Sequence, residues 1–327
     1  MNVLIGVIAD AAVWVLPRSY VDQLRREFPQ HTFLDAWDRE TIRRLLPQAD
    51  AAFTPYIDRD VFPAARRLRW VQAVAVGVGS LLYPEMVASP VVVTNARGIR
   101  ARAMAEHVLG VTLALARRLH IAVRRQAERR WAQTEIEGSF AVRTLEGRTL
   151  GVVGLGAIGG EVARLGAAFG MRVVAIRRRV DRPRPDGVAD VLPPERLLDL
   201  LRQSDVVVLS PPLTGGTRGL VGRAELAAMK RDAILVNIGR GKLVDDAALV
   251  EALGEGRIGG AALDVFTHEP LDPASPYWDL PNVLITPHTS GAMEDYWTPL
   301  VALFAENLRR FEAGEPMLNV VDKQAGY

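Results

Sequence analysis

The stretch Gly151-Val-Val-Gly154-Leu-Gly156-Ala-Ile-Gly159 carries a G-x-G-x-x-G pattern between an apolar run and a helical pattern. Glycines at this spacing let a backbone turn tightly and approach a pyrophosphate, which then lies at the helix N-terminus. Three glycines alone are weak evidence, but the strand–turn–helix context favours dinucleotide binding over an ordinary turn. Because no G-K-[ST] follows, the pattern is not a nucleotide-hydrolysing P-loop. We expect the cofactor to contact Gly154, Gly156, Ala157, Ile158 and Gly159.

Apolar runs alternate with helical patterns on both sides of this stretch, as in βαβ units whose parallel sheet is covered on both faces. In the first third we expect strands at residues 3–8, 32–34, 51–53, 70–73 and 91–94, with helices at 20–28 and 41–46. Further on we expect strands at 149–153, 172–176, 205–209, 233–237, 258–263 and 283–286, with helices at 157–169, 195–201, 223–229, 245–254 and 292–311. A long helix over 102–130 separates the two series. The predicted fold class is α/β, with two doubly wound parallel-sheet domains.

Composition narrows the functional classes. The chain has 327 residues, enough for two cores, and its 49% hydrophobic and 24% charged residues are typical of globular proteins. No cysteine is present, which excludes a disulfide scaffold and a thiolate metal site, and we expect no metal. The net charge is only +2, with acids interspersed among the arginines, so we expect no nucleic-acid partner. No apolar run reaches the ~20 residues of a membrane span, and we expect a cytoplasmic protein.

The end of the strand predicted at 172–176 bears on the choice of cofactor. In NAD enzymes an acid at this point accepts hydrogen bonds from the ribose 2′-hydroxyl. Here the strand runs into Arg177, Arg178 and Arg179, and Asp181 comes several residues later. Guanidinium groups match a 2′-phosphate in charge and geometry, whereas the alternative is a solvated strand end. We therefore expect Arg177 and Arg178 to favour NADP, with NAD possible.

Three predicted strands in the second half end in polar motifs. The motifs contain Arg240 in Asn237-Ile-Gly-Arg-Gly241, Glu269 in Asp264-Val-Phe-Thr-His-Glu-Pro270, and His288 in Thr286-Pro-His-Thr-Ser-Gly291. Ligands of open α/β sheets bind outside the carboxyl ends of the strands. An arginine, a carboxylate and a histidine meeting there would form an anion clamp, an orienting group and a proton carrier.

These motifs, together with Met104-Ala-Glu-His107 and Pro212-Leu-Thr214…Thr217-Arg-Gly-Leu, resemble the D-isomer-specific 2-hydroxyacid dehydrogenases, in particular the glyoxylate/hydroxypyruvate reductase-like members. The resemblance covers nearly the whole chain, in order. It implies a Rossmann dinucleotide-binding domain over 100–290, inserted in a flavodoxin-like substrate-binding domain over 1–99 that residues 291–327 complete. A deep cleft between the two domains is also implied.

The resemblance also implies roles for individual residues of this chain. Arg240 would pair with the substrate carboxylate and polarise the 2-keto oxygen, and His288 would be the general acid in reduction, held by Glu269. The residue chemistry agrees, because a carboxylate neighbour favours imidazolium and only arginine offers two parallel donors. Asp264 resembles the residue that binds the nicotinamide carboxamide, although a capping role is an alternative. The cofactor-binding assignments implied by the resemblance also include Pro212, Thr217 and Ile238.

The N-terminal third offers two candidate substrate loops. Val76 and Gly77 resemble the family loop whose backbone N–H groups meet the substrate carboxylate, and small residues permit that approach. Tyr56 follows a predicted strand and would wall the pocket, although an aromatic lid on the core explains it equally well.

Together these features predict an NAD(P)-dependent dehydrogenase that transfers a hydride between NAD(P)H and a small 2-keto acid to give a D-2-hydroxy acid. The alternatives are a dehydrogenase of another small oxyanion such as phosphite, and a cofactor-sensing corepressor-like binding protein. The resemblance implies a homodimer formed through the long helix, so we expect a second subunit to bury the apolar stripe of that helix, which comprises Met104, Val108, Val111, Leu115 and Leu119. Packing on its own sheet is the alternative. We expect His107 to be packed or interdomain, His31 and His120 to be ordinary surface or loop residues, and His268 to have no role.

Overall fold

The structure is a computed structural model that describes residues 1–9, 14–138 and 142–326. The chain forms two compact units. Unit 1 comprises Met1–Ile99 and Glu294–Tyr327, and unit 2 comprises Arg100–Met293. Among the described residues, no helix is both long and apolar enough to span a bilayer.

Strands and helices alternate throughout the described residues. The strands are β1 (Asn2–Ile5), β2 (Thr32–Asp35), β3 (Ala51–Phe53), β4 (Trp70–Gln72), β5 (Val92–Thr94), β6 (Thr149–Val153), β7 (Arg172–Ile176), β8 (Val188–Leu192), β9 (Val206–Leu209), β10 (Ile234–Asn237), β11 (Gly260–Leu263) and β12 (Val283–Ile285). The α-helices are α1 (Arg18–Glu27), α2 (Arg39–Leu45), α3 (Pro84–Ala88), α4 (Ala101–Ala116), α5 (Leu119–Ala127), α6 (Gln133–Gly138), α7 (Ala157–Ala168), α8 (Leu197–Gln203), α9 (Arg223–Ala228), α10 (Asp246–Gly254) and α11 (Trp297–Ala313).

Each unit contains one sheet whose strands all pair in parallel. The sheet of unit 1 has the order β2-β1-β3-β4-β5, which is the flavodoxin-like order. The sheet of unit 2 has the order β12-β11-β10-β9-β6-β7-β8, which is the Rossmann order with one strand added at the β11 edge. The predicted α/β class with two doubly wound parallel sheets is confirmed.

Helix α11 completes the core of unit 1. The ring of Phe304 stacks on Phe53 at a centroid distance of 4.6 Å and on Trp70 at 5.2 Å. Its neighbour Asn307 is buried and donates to Gln72 Oε1 at 3.1 Å, which satisfies a polar group inside the core. The last helix therefore belongs to the fold formed by the first hundred residues.

The sheet of unit 2 is buried on both faces, because alternate residues of its strands point to opposite sides. Val173, Val208 and Val236 belong to a core layer shared with α4 and α7. Val174, Val207 and Leu235 belong to a second layer shared with α8, α9 and α10.

The predicted long helix is broken. Helix α4 ends at Ala116, Arg118 has a left-handed φ of 58°, and α5 begins at Leu119. Val108, Val111 and Leu115 are buried in the core of unit 2 itself, so the expectation that a second subunit covers this stripe is wrong. Leu119, which lies beyond the break, is exposed.

Other boundaries also differ from the sequence prediction. The last helix begins at Trp297 rather than 292, where Asp295 accepts a hydrogen bond from Thr298 N in the first turn. It stops at Gly314, which has a positive φ, as the sequence predicts. Strand β8 and the short helices α3 and α6 were not predicted from the sequence.

Candidate active site

A histidine–glutamate pair lies beyond the carboxyl ends of β11 and β12. His288 follows β12 and has a left-handed φ of 54°, and its Nδ1 lies 2.7 Å from Glu269 Oε2. The other carboxylate oxygen accepts the Phe266 N–H at 2.9 Å, so the turn after β11 fixes Glu269. Because a carboxylate accepts only, Nδ1 donates, and Nε2 of the half-exposed ring is the nitrogen that can exchange a proton with a ligand.

Asp264 anchors the loop that carries His288. Its side chain is 1% exposed and accepts hydrogen bonds from Thr286 Oγ1 at 2.6 Å, Thr289 N at 2.9 Å and Ser290 N at 3.0 Å. Its backbone carbonyl accepts the His288 N–H at 2.9 Å. Burial opposes the charge of Asp264, but the hydrogen bonds from Ser290, Thr286 and Thr289 outweigh it and lower the pKa. Loop anchoring is the capping role left open for Asp264, and its contact with nicotinamide stays a prediction.

The turn after β10 holds Arg240 close to the Glu269 turn. Asn237 Nδ2 donates to the Arg240 carbonyl at 3.1 Å, and its Oδ1 accepts the Gly239 N–H at 3.1 Å. A Cβ on Gly241 would lie 1.9 Å from the carbonyl carbon of Phe266, so only glycine permits this approach. The two turns are therefore in backbone contact, and the exposed Arg240 guanidinium donates to the Gly239 carbonyl at 2.6 Å.

The glycine loop after β6 has the shape that a pyrophosphate requires. Gly154 has a φ of 99°, and a Cβ there would lie 2.7 Å from Pro211 N. A Cβ on Gly159 would lie 2.1 Å from the Gly154 carbonyl oxygen, so this glycine lets α7 pack against the turn. Gly156, in contrast, is exposed and faces open space at the start of α7. The loop thus fits a dinucleotide whose phosphates lie at the N-terminus of α7.

The loop after β9 lies beside this cradle. Thr217 Oγ1 donates to the Pro212 carbonyl at 2.6 Å and accepts the Thr214 N–H at 2.8 Å, so the structure brings Pro212 and Thr217 together. Ile238, another predicted cofactor contact, does not lie in this loop. Its side chain is buried in the core layer shared with α4 and α7.

The arginines after β7 differ in their surroundings. Arg177 Nη2 donates to the carbonyls of Arg182 and, at 3.1 Å, of Pro183, which holds the loop that follows β7. The side chain of Arg178 is exposed at the strand end. Of the two predicted phosphate ligands, Arg178 has the more accessible position.

In unit 1, three backbone carbonyls of the loop after β4 accept hydrogen bonds that fix the loop. The Val74 carbonyl accepts from Tyr296 Oη, the Ala75 carbonyl from Ala96 N at 3.2 Å, and the Val76 carbonyl from Asn95 Nδ2 at 3.0 Å. Val76 is 37% exposed and Gly77 is exposed, and in the described part of the chain neither N–H donates to the backbone. These are the donors that the sequence assigns to an anionic ligand.

Tyr56 covers part of the core of unit 1. It packs against the core of unit 1, while Arg39 lies 5.4 Å over its ring. Thr54 Oγ1 donates to the Tyr56 carbonyl at 2.9 Å and fixes this turn.

Two histidine side chains outside this site are buried. The His31 side chain is only 2% exposed, and its Nε2 lies 2.9 Å from Glu312 Oε1, outside hydrogen-bond geometry. His120 is buried, with Nδ1 bonded to the Ala114 carbonyl across the break between α4 and α5. Both were expected to be ordinary surface or loop residues. His31 does lie in a loop, although its side chain is buried, whereas His120 lies in α5 and is buried. His107 is packed, as expected, and contacts Thr286.

Sequence reasoning missed Thr286, Asn95 and Tyr296 as supports of these loops. Thr286 stands in the quoted motif two residues before His288, and Asn95 directly follows a predicted strand, so strand-end position was an available signal. Tyr296 gave no such signal, because its contact with Val74 spans 222 residues.

Comparison with known proteins identifies the family. The family model described as D-isomer specific 2-hydroxyacid dehydrogenase, NAD binding domain, matches residues 109–290. A glyoxylate reductase of Korarchaeum cryptofilum is 37% identical, over 94% of this chain and 96% of its own.

Solved structures extend the match to the fold. A D-isomer specific 2-hydroxyacid dehydrogenase from Xanthobacter autotrophicus, in complex with NADPH and MES, aligns with a TM-score of 0.83 and 32% identity over 99% of both chains. An NADPH-dependent glyoxylate/hydroxypyruvate reductase from Sinorhizobium meliloti, in complex with NADP and sulfate, aligns with a TM-score of 0.81 and 29% identity over 100% of this chain and 99% of that one. The chain belongs to the D-isomer specific 2-hydroxyacid dehydrogenase family, and it is an NAD(P)-dependent oxidoreductase.

Proposed function

We propose that this protein reduces small 2-keto acids, such as glyoxylate or hydroxypyruvate, to D-2-hydroxy acids with NADPH as the preferred donor. The observation that carries the proposal is the His288–Glu269 pair, held at the same sheet edge as the glycine cradle. The names of the glyoxylate reductase relatives and the NADP bound in the related reductase support the substrate class and the cofactor.

In this proposal His288 donates the proton. When bound, the cofactor supplies a hydride to C2 of the substrate, and negative charge develops on the substrate oxygen. His288 Nε2 protonates that oxygen, and Glu269 keeps the ring oriented through its hydrogen bond with Nδ1. Arg240 pairs with the substrate carboxylate and polarises the carbonyl.

The rest of the site binds and orients. The cofactor is assigned to the cradle of Gly154, Gly156, Ala157, Ile158 and Gly159, with Pro212, Thr217, Ile238 and Asp264 as further contacts. Unit 1 is assigned to substrate binding, with the N–H groups of Val76 and Gly77 as donors to a carboxylate and Tyr56 as a pocket wall. Unit 2 is assigned to dinucleotide binding.

The NADP preference is assigned to the exposed Arg178, because a guanidinium pairs with a 2′-phosphate that NAD lacks. Replacing Arg178 with Ala should raise KM for NADPH by roughly tenfold, the scale of one charge-assisted hydrogen bond, and leave KM for NADH unchanged. Arg172→Ala, at the other end of β7, is the matched control. An equal effect on both cofactors would contradict the assignment.

We also assign the protein to the cytoplasm and to a homodimer. Leu119 and Val123 on α5, and the 91% exposed Trp131 just beyond it, are exposed apolar side chains that a second copy of the chain could bury, and they support the dimer. Sedimentation of wild type and Trp131→Glu tests this: we expect a dimer that the variant weakens, and a wild-type monomer at micromolar concentration would overturn it.

The deciding experiment is a substrate panel. Glyoxylate, hydroxypyruvate and a bulkier 2-keto acid are each assayed with NADPH and NADH by absorbance of the reduced nicotinamide, with phosphite and NADP as a separate reaction. We expect turnover of at least one 2-keto acid, with a higher kcat/KM for NADPH. Turnover of phosphite alone, or cofactor binding without any turnover, would overturn the proposal in favour of the corresponding alternative.

A further inference from the structure

His107 of α4 makes one polar contact toward the loop that carries His288. Its Nε2 lies 3.2 Å from Thr286 Oγ1 and 4.0 Å from Asp264 Oδ1. Its helix neighbours Ala105 and Val108 are fully buried in the core of unit 2, so the ring projects from a rigid element.

The contacts of Thr286 fix which nitrogen of His107 carries a proton. The Thr286 hydroxyl has one proton and lies 2.6 Å from Asp264 Oδ1. Hydrogen bonds hold the pKa of Asp264 below its usual value in spite of burial, so this carboxylate is ionised at neutral pH and accepts the proton of Thr286. The Thr286 oxygen is then an acceptor toward His107, whose Nε2 donates.

Burial keeps this ring neutral. It lowers the pKa of His107, and the charge of Asp264 opposes the shift only in part. A neutral imidazole has one N–H, and here that N–H is on Nε2. The hydrogen bonds therefore run in one direction: His107 donates to Thr286, and Thr286 donates to Asp264. We call this chain of two hydrogen bonds the relay.

The relay ends on the backbone of the proton donor. Asp264 accepts the N–H groups of Thr289 and Ser290 with its carboxylate, and the N–H of His288 with its carbonyl. His288 adopts a left-handed φ, which a histidine holds only where its surroundings fix it.

We propose that His107 is a positioning residue for the reaction: its Nε2–H fixes the Thr286 hydroxyl, and through Asp264 it holds the His288 loop in the geometry for proton transfer. This inference rests on the proposed role of His288 and extends it to a helix that contributes no group to the chemistry.

The test compares variants that remove or retain the donor. His107→Leu removes it, whereas His107→Gln places an amide N–H at a similar reach. We expect His107→Leu to lower kcat about tenfold with KM for NADPH unchanged, and His107→Gln to recover most of the loss, on the scale of one net hydrogen bond. His120→Leu, which removes a buried histidine whose Nδ1 is bonded to the Ala114 carbonyl, is the matched control and should leave kcat unchanged. A kcat for His107→Leu equal to wild type would overturn the proposal.

A double-variant cycle tests whether the effect passes through Thr286. Thr286→Val keeps the shape of the side chain and removes the hydroxyl. If His107 acts through this hydroxyl, the double variant His107→Leu/Thr286→Val has the kcat of Thr286→Val alone. Losses that multiply would show two independent effects and overturn the relay.

A readout without substrate or cofactor separates this inference from the proposed function. Nitrogen NMR of the full chain should show His107 as the neutral Nε2–H tautomer, with a changed resonance in Thr286→Val. An Nδ1–H tautomer would overturn the relay alone. A wild-type kcat in His288→Ala would instead overturn the proposed function, whatever the tautomer of His107.

Discussion

Two histidine–glutamate pairs in this protein have the same chemistry and different surroundings. In unit 2, His288 bonds Glu269 through Nδ1, and its side chain is 51% exposed. In unit 1, His31 lies against Glu312 with a side chain that is 2% exposed, and its Nδ1 contacts the N-terminal amine of Met1 at 3.3 Å. Only the first pair has a ring nitrogen open to a ligand. Under the proposed function, the pair at the strand end acts as a proton carrier because its ring is open to a ligand, whereas the same pair inside a junction only joins two segments.

Removing both histidines in turn should give the largest contrast. We expect His288→Ala to lower kcat for 2-keto acid reduction by about 10²- to 10⁴-fold, the range for loss of a general acid. The matched change His31→Ala should leave kcat within about twofold, because its ring is closed to any ligand. Steady-state kinetics under saturating NADPH measures both. Equal losses of kcat in the two variants would contradict the proposed role of His288 as the proton donor.

Replacing the carboxylate should give a smaller effect. In Glu269→Gln a neutral amide replaces the carboxylate that accepts from His288 Nδ1 at 2.7 Å, so a weaker hydrogen bond holds the ring. We expect kcat to fall by roughly tenfold, with KM for NADPH unchanged. Glu312→Gln is the control and should leave kcat unchanged. A wild-type kcat in Glu269→Gln would contradict the role of this carboxylate.

The third contrast concerns the anchor that only the His288 pair possesses. The depressed pKa of Asp264 means that its charged form stabilises the folded state at pH values above its unfolded-state pKa, and this contribution is lost as pH falls through the folded-state pKa. Asp264→Asn should therefore lower the free energy of unfolding by about 1–3 kcal/mol at neutral pH. Urea titrations at several pH values should show the gap between variant and wild type closing in acid. A gap independent of pH would mean that the charge is irrelevant.

The smallest expected effect is at the buried junction. His31→Gln keeps a polar side chain between Met1 and Glu312, and Glu312 itself is partly exposed. We expect a loss of about 1 kcal/mol or less in the free energy of unfolding, with unchanged kinetics. Urea denaturation checks the first part and the substrate assay the second; a change in KM would show that this junction reaches the substrate loop.

Patterns with short-range causes were predictable from the sequence. Strands β3, β6 and β7 begin and end where the sequence predicts, and α11 stops at Gly314, because strand propensity and a positive φ are properties of single residues. The break in the long helix at Arg118 was not predictable, since nothing in the side chain of an arginine favours a left-handed φ. Edge strand β8 alternates apolar and polar residues too weakly to stand out.

At the site, the residues with chemistry were easier to find than the residues that hold them. Arg240, Glu269 and His288 stand at strand ends and have side chains that a buried core would not tolerate unpaired. Their supports are set by contacts distant along the chain: His107 meets Thr286 across 179 residues, and Asp264 meets Ser290 across 26. Away from the site, His31 contacts Glu312, which is more distant still along the chain. Such pairings come from the assembled sheets, so their roles stay predictions until the variants are measured.

The position of α11 in unit 1 has a consequence for biosynthesis. Phe304 and Asn307 fill the space beside Phe53, Trp70 and Gln72, yet the ribosome makes them more than two hundred residues later. The intervening segment, Arg100–Met293, has its own sheet and both of its core layers by then. Domains usually mature from the amino terminus as translation proceeds. We therefore expect the middle segment to fold first during synthesis, and the first hundred residues to complete their core only after α11 has left the ribosome.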